Sequence, residues 1–201
     1  MNREAVADQL DLTDDELARL DVYVALLEKW QAKLNLVGPK TLVEVWQRHV
    51  LDSAQLRPLI PESARNLVDM GSGAGFPGLV LAALGITGVT LIDSDARKCV
   101  FLREAARAME VAVDVRTARL ERTPQAPVDV LTARALAPLG LLLRFGEGFI
   151  GPDTRCLFLK GERAHGELTE ASVEWMMKVN LHPSLAHELG VVVELTHVQP
   201  R

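Results

Sequence analysis

Aromatic residues are scarce in this chain: five Phe, three Trp and one Tyr, 4% of 201 residues. The sole tyrosine, Tyr23, has a leucine four positions on. That removes the Tyr-x-x-x-Lys pair expected of a nicotinamide-dependent reductase. Cysteine is nearly absent. Cys99 and Cys156 lie far apart, with no Cys-x-x-Cys and no histidine at ligand spacing. A disulfide framework and a zinc ribbon are therefore excluded, no metal is expected, and two reduced thiols fit a cytosolic protein. No apolar run approaches the roughly 20 residues of a membrane span. The acidic start, with Asp8, Asp11, Asp14 and Asp15, is unlike a signal or transit peptide. The expectation is a cytoplasmic protein with no membrane partner. Basic charge is in deficit, 22 Lys and Arg against 27 Asp and Glu, for a net charge of −5. That argues against coating nucleic acid by charge alone, and leaves room for an enzyme with a local basic face. No internal repeat or low-complexity tract is seen.

What is present is an apolar fraction of 48%, ample for a core, and a length that suits one large domain or a domain with an appendage. The chain is organised around Asp69-Met-Gly-Ser-Gly-Ala-Gly-Phe-Pro-Gly78. An apolar segment precedes it and a helical run, Leu79 to Leu84, follows. Glycines at a strand-to-helix turn mark where an open α/β sheet binds its ligand. Gly71, Gly73 and Gly75 let backbone approach a bound molecule closely. Two readings compete. Gly73, Gly75 and Gly78 fit the dinucleotide fingerprint, with Asp93 twenty residues after Gly73. Asp69, Gly71, Gly73 and Gly75 fit the Asp-x-Gly-x-Gly-x-Gly loop of S-adenosylmethionine (SAM) methyltransferases. The acid favours the second, because SAM is cationic and has no pyrophosphate to be repelled.

Thr13-Asp-Asp-Glu16 is a capping box opening a helix to about Leu34, with Leu17, Leu20, Val24 and Leu27 at helical spacing. Thr41-Leu-Val-Glu44 reads as a second box, opening a helix to about Ala54. Residues 1–60 are thus expected to form a helical extension, fastened to a sheet by Trp30 and Trp46, with residues 61–201 forming the catalytic domain. Strands are expected at Asn66–Met70, Val89–Ile92, Val113–Thr117, Val128–Thr132, Arg155–Leu159 and Val191–Thr196, the last paired with a short one near Val179. Helices fall between them, including Asp95–Met109, Pro138–Phe149 and Ala164–Met177. Alternating strands and helices imply a parallel sheet with right-handed crossovers, a Rossmann-like α/β fold.

Ligands lie over the C-terminal strand ends of such a sheet. Asp93 is placed there to accept ribose hydroxyls, or to cap the next helix, where Ser94 or Asp95 could serve instead. Arg119-Leu120-Glu121 would face an adenine edge, though a solvated charged turn explains that stretch as well. Arg134, among small apolar neighbours, could grip a carboxylate or a phosphate, and Lys160 could do the same. Arg48 and His49 share a helix with Asp52, which lies on the face of His49. The His–Asp pair is either an acid–base unit or a structural hydrogen bond.

These stretches together resemble the bacterial small-subunit ribosomal RNA guanine-N7 methyltransferases, also called glucose-inhibited division protein B. The resemblance runs from about Leu26 to Gly161. It includes Lys29-Trp30, Asn35-Leu36, Arg48-His-Val-Leu-Asp-Ser53, the glycine loop, Asp93-Ser94, Lys98, Phe101-Leu-Arg103, Arg119-Leu-Glu121, Arg134-Ala135 and Leu159-Lys-Gly161. Val37-Gly-Pro-Lys40 departs from the family pattern. The resemblance implies a class I SAM-dependent methyltransferase acting on N7 of one guanine in 16S ribosomal RNA, free or in a small-subunit particle. It implies SAM contacts at Gly71, Phe76, Leu120, Glu121 and Arg134, with Asp93 near the ribose. RNA contacts are expected at Arg48, His49, Lys160 and Arg163, with a second basic stripe of Arg97, Lys98, Arg103 and Arg107. A monomer is expected.

Guanine N7 carries a lone pair and no proton, so its methylation needs no general base, and the sequence offers no convincing one. Catalysis is then mainly in-line positioning. No catalytic residue is assigned, and Arg134, on the SAM side or on phosphate, is the best candidate contributor.

Overall fold

The N-terminal third is helical, and its caps explain where each helix starts. The computed structural model describes all 201 residues, Met1–Arg201. Helix α1 (Arg3–Leu10) opens at Asn2, whose side chain accepts from Ala5 N. The hydrophobic pattern does not announce it, because Val6 is its one buried residue. Helix α2 (Asp14–Gln31) has the capping box expected of it: Thr13 Oγ1 accepts from Glu16 N at 3.3 Å, and Glu16 Oε2 accepts from Thr13 N at 2.9 Å. It ends three residues early. The Gln31 side chain turns back to accept from Leu36 N and Val37 N and to donate to Val37 O.

The second predicted helix is not continuous. Its start is Gly38-Pro39, not Thr41, and gives the short α3 (Pro39–Leu42). The Thr41 hydroxyl donates to Gly38 O at 2.8 Å instead of capping. Trp46–Leu51 then forms a wider π-helical turn that runs into α4 (Asp52–Ala54). Such turns are rare and often mark functional sites.

Beyond residue 66, strands and helices alternate: β1 (Leu67–Met70), α5 (Gly78–Ala83), β2 (Val89–Asp93), α6 (Ala96–Ala108), β3 (Val113–Thr117), β4 (Val130–Arg134), α7 (Leu139–Gly146), β5 (Arg155–Lys160), α8 (Ala164–Ala171), β6 (Trp175–Pro183) and β7 (Val191–Pro200). The seven-stranded sheet has the order β3-β2-β1-β4-β5-β7-β6. Its first five strands are parallel, and β7 is antiparallel to both of its neighbours. The order reverses between β1 and β4, which opens a crevice at their C-terminal ends.

Two differences from expectation have local causes. Strand β4 starts two residues late, where Asp129 gives only its carbonyl to β5, accepting from Arg155 N, and is otherwise drawn to Arg65 and Asn66. Its carboxylate accepts from Arg65 N and Asn66 N, and its own N–H donates to Asn66 Oδ1. Arg134 therefore closes β4. Helix α8 stops at Ala171, and Trp175 to Met177 belong to the long edge strand β6. There Trp175 pairs with Pro200, which outweighs the helical pattern. A bulge between Met176 and Lys178 blunts that edge.

Side chains alternate across β1. Leu67 belongs to the core shared with the N-terminal helices, α5 and α6, and Val68 and Met70 belong to the core under α7 and α8. Trp30 packs on α6, its ring 5.7 Å from Phe101, and its Nε1 donates to Glu104. Trp46 packs against the same core, which the extension shares with the sheet. Its ring also lies beneath the guanidinium of Arg3.

Candidate functional site

The glycine loop follows β1 and lines a cleft of about 540 Å³. Gly71, Ser72, Gly73, Ala74 and Phe76 form one wall, Ile92 and Asp93 the next, Ala118 to Glu121 the third, and Arg134 to Leu136 the fourth. Gly71 has φ of +66°, a conformation that favours glycine, and a Cβ there would push the Leu136 side chain aside. Gly73 N donates to Asp93 Oδ2, and Asp95 N donates to Asp93 Oδ1, each at 2.8 Å. Asp93 thus braces the loop while each oxygen keeps lone-pair capacity toward the cleft. Asp95, not Asp93, caps α6.

Asp69 and Gly75 do not line this cleft. The Asp69 carboxylate lies behind the loop, fully buried, accepting from Thr132 Oγ1 at 2.9 Å and from Gly78 N at 3.3 Å. Burial pushes its pKa up to about 6, against the bonds from Ser72, Thr132 and Gly78. The acid is therefore a brace at the start of α5. This weighs against the dinucleotide reading, in which a pyrophosphate sits on the helix N-terminus. Here the protein's own carboxylate already takes the Gly78 N–H, and a Cβ on Gly78 would meet Leu91 at 2.3 Å. The Gly75 φ is +101°, and its missing Cβ leaves room for Leu79 and Tyr23.

A second cleft of about 720 Å³ lies over the ends of β4 and β5. It shares Leu36, Arg134, Ala135 and Leu136 with the first. Its other walls come from the helical extension, including Thr41, Arg48, His49 and Asp52, from Lys160 and Glu167, and from the β6–β7 turn at Ala186, His187 and Gly190. Arg134 stands at the junction. Its guanidinium lies 4.8 Å from the Phe76 ring centroid, and Nη1 donates to Arg48 O at 3.2 Å and to Asp52 Oδ2 at 3.5 Å. A desolvated cation–π contact of this kind contributes roughly 2 kcal/mol.

His49 and Asp52 do not pair. The wider turn of Trp46–Leu51 separates their side chains. His49 stacks on Phe76 with centroids 4.8 Å apart, and its Nε2 meets Thr41 Oγ1 at 2.9 Å. The Thr41 proton is already given to Gly38 O, so His49 Nε2 carries the hydrogen and Nδ1 presents a lone pair with no partner. Burial, then the charges of Arg134 and Arg48, lower the His49 pKa to about 3. His49 is a neutral spacer behind Phe76 and not an exposed RNA contact. Asp52 accepts from Gln55 Nε2, and burial raises its pKa against the pull of Arg134.

Lys160 is not a free surface cation. It is nine-tenths covered and donates to Ala137 O at 2.6 Å and to Glu167 Oε2 at 2.8 Å. Arg163 is exposed at the start of α8 and lines neither cleft. In the expected basic stripe, Arg97 is bound to Asp95 and Arg103 to Val115 O and Thr117, while Lys98 reaches the first cleft. Sequence reasoning missed Tyr23, Leu36, Leu136 and Glu167. Tyr23 Oη donates to Ala74 O at 2.5 Å, tying α2 to the glycine loop, and no local motif signals it. The length of β5 and the start of α8 place Glu167, but not its partner.

Solved structures similar to this one share its fold. The ribosomal protein L11 methylase of Lactobacillus delbrueckii subsp. bulgaricus aligns with a TM-score of 0.59 at 15% identity, covering 72% of this chain and 78% of its own. The TehB-like SAM-dependent methyltransferase of Corynebacterium glutamicum has the same score and identity, covering 86% and 98%. Sequence relatives are nearer. The ribosomal RNA small subunit methyltransferase G of Paramagnetospirillum magneticum is 48% identical over 198 residues, covering 98% of this chain and 97% of that protein. Its counterpart in Rhodospirillum rubrum is 46% identical, covering 98% of each. Residues 16–190 match the family described as GidB, rRNA small subunit methyltransferase G. The chain belongs to the rRNA small subunit methyltransferase G family, on a class I SAM-dependent methyltransferase fold.

Proposed function

We propose that this protein transfers a methyl group from SAM to N7 of a guanine in small-subunit ribosomal RNA. The single observation that carries the reading is the meeting of two clefts at Arg134, one walled by the glycine loop and one open over β4 and β5. A methyl donor and a base must lie side by side, and adjoining clefts allow that. Family membership makes the protein a SAM-dependent rRNA methyltransferase. The choice of guanine N7 rests on chemistry and on the resemblance.

The first cleft suits SAM. Asp93 can accept from two ribose hydroxyls, Leu120 and Glu121 border the place for an adenine, and Phe76, Ile92 and Leu136 offer apolar surface. Gly71 and Gly73 bring backbone to the cleft wall, and Arg134 can meet a carboxylate. When bound, SAM supplies an electrophilic methyl group. The chain's own residues orient and exclude water; no side chain need move a proton, since N7 has none. No three His, Cys, Asp or Glu side chains converge as metal ligands. No helix is long and apolar enough to cross a membrane. Residues 1–60 are read as an extension that roofs the second cleft and residues 61–201 as the catalytic domain. An RNA substrate would place the enzyme in the cytoplasm, where a monomer acting on RNA or a small-subunit particle suffices.

Two measurements test this. Calorimetry should show SAM binding, no NAD binding, and loss of SAM binding in Gly71→Arg. Unmodified 16S RNA incubated with labelled SAM should take up label at a guanine that then undergoes borohydride and aniline scission, the mark of N7 methylation. Label without scission would refute N7.

A further inference from the structure

The second cleft has its own ion pair, which neither the glycine loop nor Arg134 touches. Lys160 ends β5 and Glu167 lies in the first turns of α8. The Lys160 ammonium has three protons. One goes to Ala137 O and one to Glu167 Oε2, which leaves one. Glu167 Oε2 also accepts from Leu139 N at 2.8 Å, while Oε1 makes no hydrogen bond within the chain and is not sealed from solvent. The pair thus keeps one donor and one carboxylate oxygen unspent, in two residues that line the second cleft and not the first.

We propose that Lys160 and Glu167 read the Watson–Crick edge of the target guanine, Lys160 donating to O6 and Glu167 Oε1 accepting from N1–H and the 2-amino group. This rests on the function proposed above. Guanine offers an acceptor next to donors on that edge, and adenine offers the reverse. Adenine would set its amino group against the ammonium and its N1 lone pair against the carboxylate. RNA bases are commonly recognised by hydrogen bonds to this edge. A phosphate at Lys160 would meet the Glu167 carboxylate, so the pair suits a base and not the backbone. A purine held by this edge at the far wall turns its imidazole side back toward Arg134 and the first cleft.

The carboxylate also fits the chemistry. The N7 lone pair forms the new bond to carbon, the carbon–sulfur bond breaks with its electrons going to sulfur, and no proton moves. The ring becomes cationic and N1–H becomes a stronger donor. Glu167 therefore binds the transition state more tightly than the ground state.

The test uses the full-length enzyme and 16S RNA in which the mapped target carries guanine, inosine or 2-aminopurine, introduced by splinted ligation. Inosine keeps O6 and N1–H; 2-aminopurine loses both. The wild type should methylate inosine within about tenfold of guanine, and 2-aminopurine roughly 100-fold less well. Glu167→Gln and Lys160→Met should each lower kcat on guanine by roughly 30- to 100-fold, leave SAM affinity within twofold, and flatten the preference for guanine over 2-aminopurine. A fall by the same factor on all three bases would indicate a merely structural pair and overturn the proposal. So would equal wild-type rates on guanine and 2-aminopurine, a result that needs no variant. Wild-type methylation of RNA with no scission at a guanine would overturn the function itself and this assignment with it.

Discussion

The first cleft is walled by the glycine loop and by residues at the C-terminal ends of successive parallel strands, whereas the second is walled by side chains brought together from the extension, β5, α8 and the β6–β7 turn. In the first, the glycine loop and Asp93 hold one another through N–H donors, and the shape follows from φ angles that only glycine adopts easily. In the second, Arg48, His49 and Asp52 come from the extension, Lys160 and Glu167 from β5 and α8, and His187 from the last turn. A cleft made of backbone suits a ligand that never varies. A cleft made of side chains can be altered one residue at a time.

Arg134 belongs to both walls, so replacing it gives the largest expected effect. Arg134→Ala removes the cation over Phe76 and leaves the half-buried Asp52 carboxylate with Gln55 alone. The pair is half-buried and long, at 3.5 Å, and Asp52 keeps its bond from Gln55, so the fold should survive the change. SAM affinity by calorimetry and the single-turnover rate at saturating SAM should both fall, the rate by about 100-fold. Full recovery of the rate at high SAM would assign Arg134 to the first cleft alone and break the comparison.

Asp69 and His49 sharpen it through pH, with opposite signs. The Asp69 pKa, raised to about 6 by burial, means that its contribution to stability is present below about 4 and is lost as pH rises through 6. The shift corresponds to about 3 kcal/mol. An asparagine can keep both bonds, its oxygen accepting from Gly78 N and its amide donating to Thr132 Oγ1. Asp69→Asn should therefore melt higher than the wild type at pH 8, and the gap should close by pH 4. His49, lowered to about 3, acts the other way: its contribution is present above about 6.5 and is lost as pH falls toward 3. A gap in melting temperature that does not vary with pH would remove Asp69 as the titrating brace.

Thr13→Ala is the smallest test. Loss of the capping box at the head of α2 should cost about 1 kcal/mol, a fall of roughly 2–4 °C in melting temperature, with no change in SAM affinity. A loss of affinity would mean that the extension shapes the first cleft through Tyr23 as strongly as the loop itself.

The first cleft was largely legible in the sequence because its information is local. The glycine spacing, Asp93 after β2 and Arg134 after β4 all follow from strand-end logic. Even there, Asp69 misled. Its position beside the glycines suggested a ligand contact, but alternation along β1 turns it toward Thr132 and Gly78. The second cleft was poorly legible because its pairs are long-range. His49 and Asp52 looked like partners under an α-helical period, and a π-helical turn parts them. Lys160 looked like a free cation, since nothing in the sequence pairs it with Glu167. Thr41 looks like a cap by spacing, but the preset φ of Pro39 starts the helix two residues before it. The hairpin at the end was underestimated where cross-strand pairing of Trp175 overrides a helical pattern.

The bonds that dock the extension also set the order in which the chain can be finished during synthesis. Trp30 must wait for Glu104, 74 positions later, and Gln55 for Leu185, 130 positions later. At ribosomal rates of about 5–20 residues per second, the apolar face of α2 is without its partner for roughly 4–15 s, and the second cleft is without its last wall for roughly 7–26 s. The emerging chain can therefore complete the glycine-loop cleft while the second cleft still lacks its last wall.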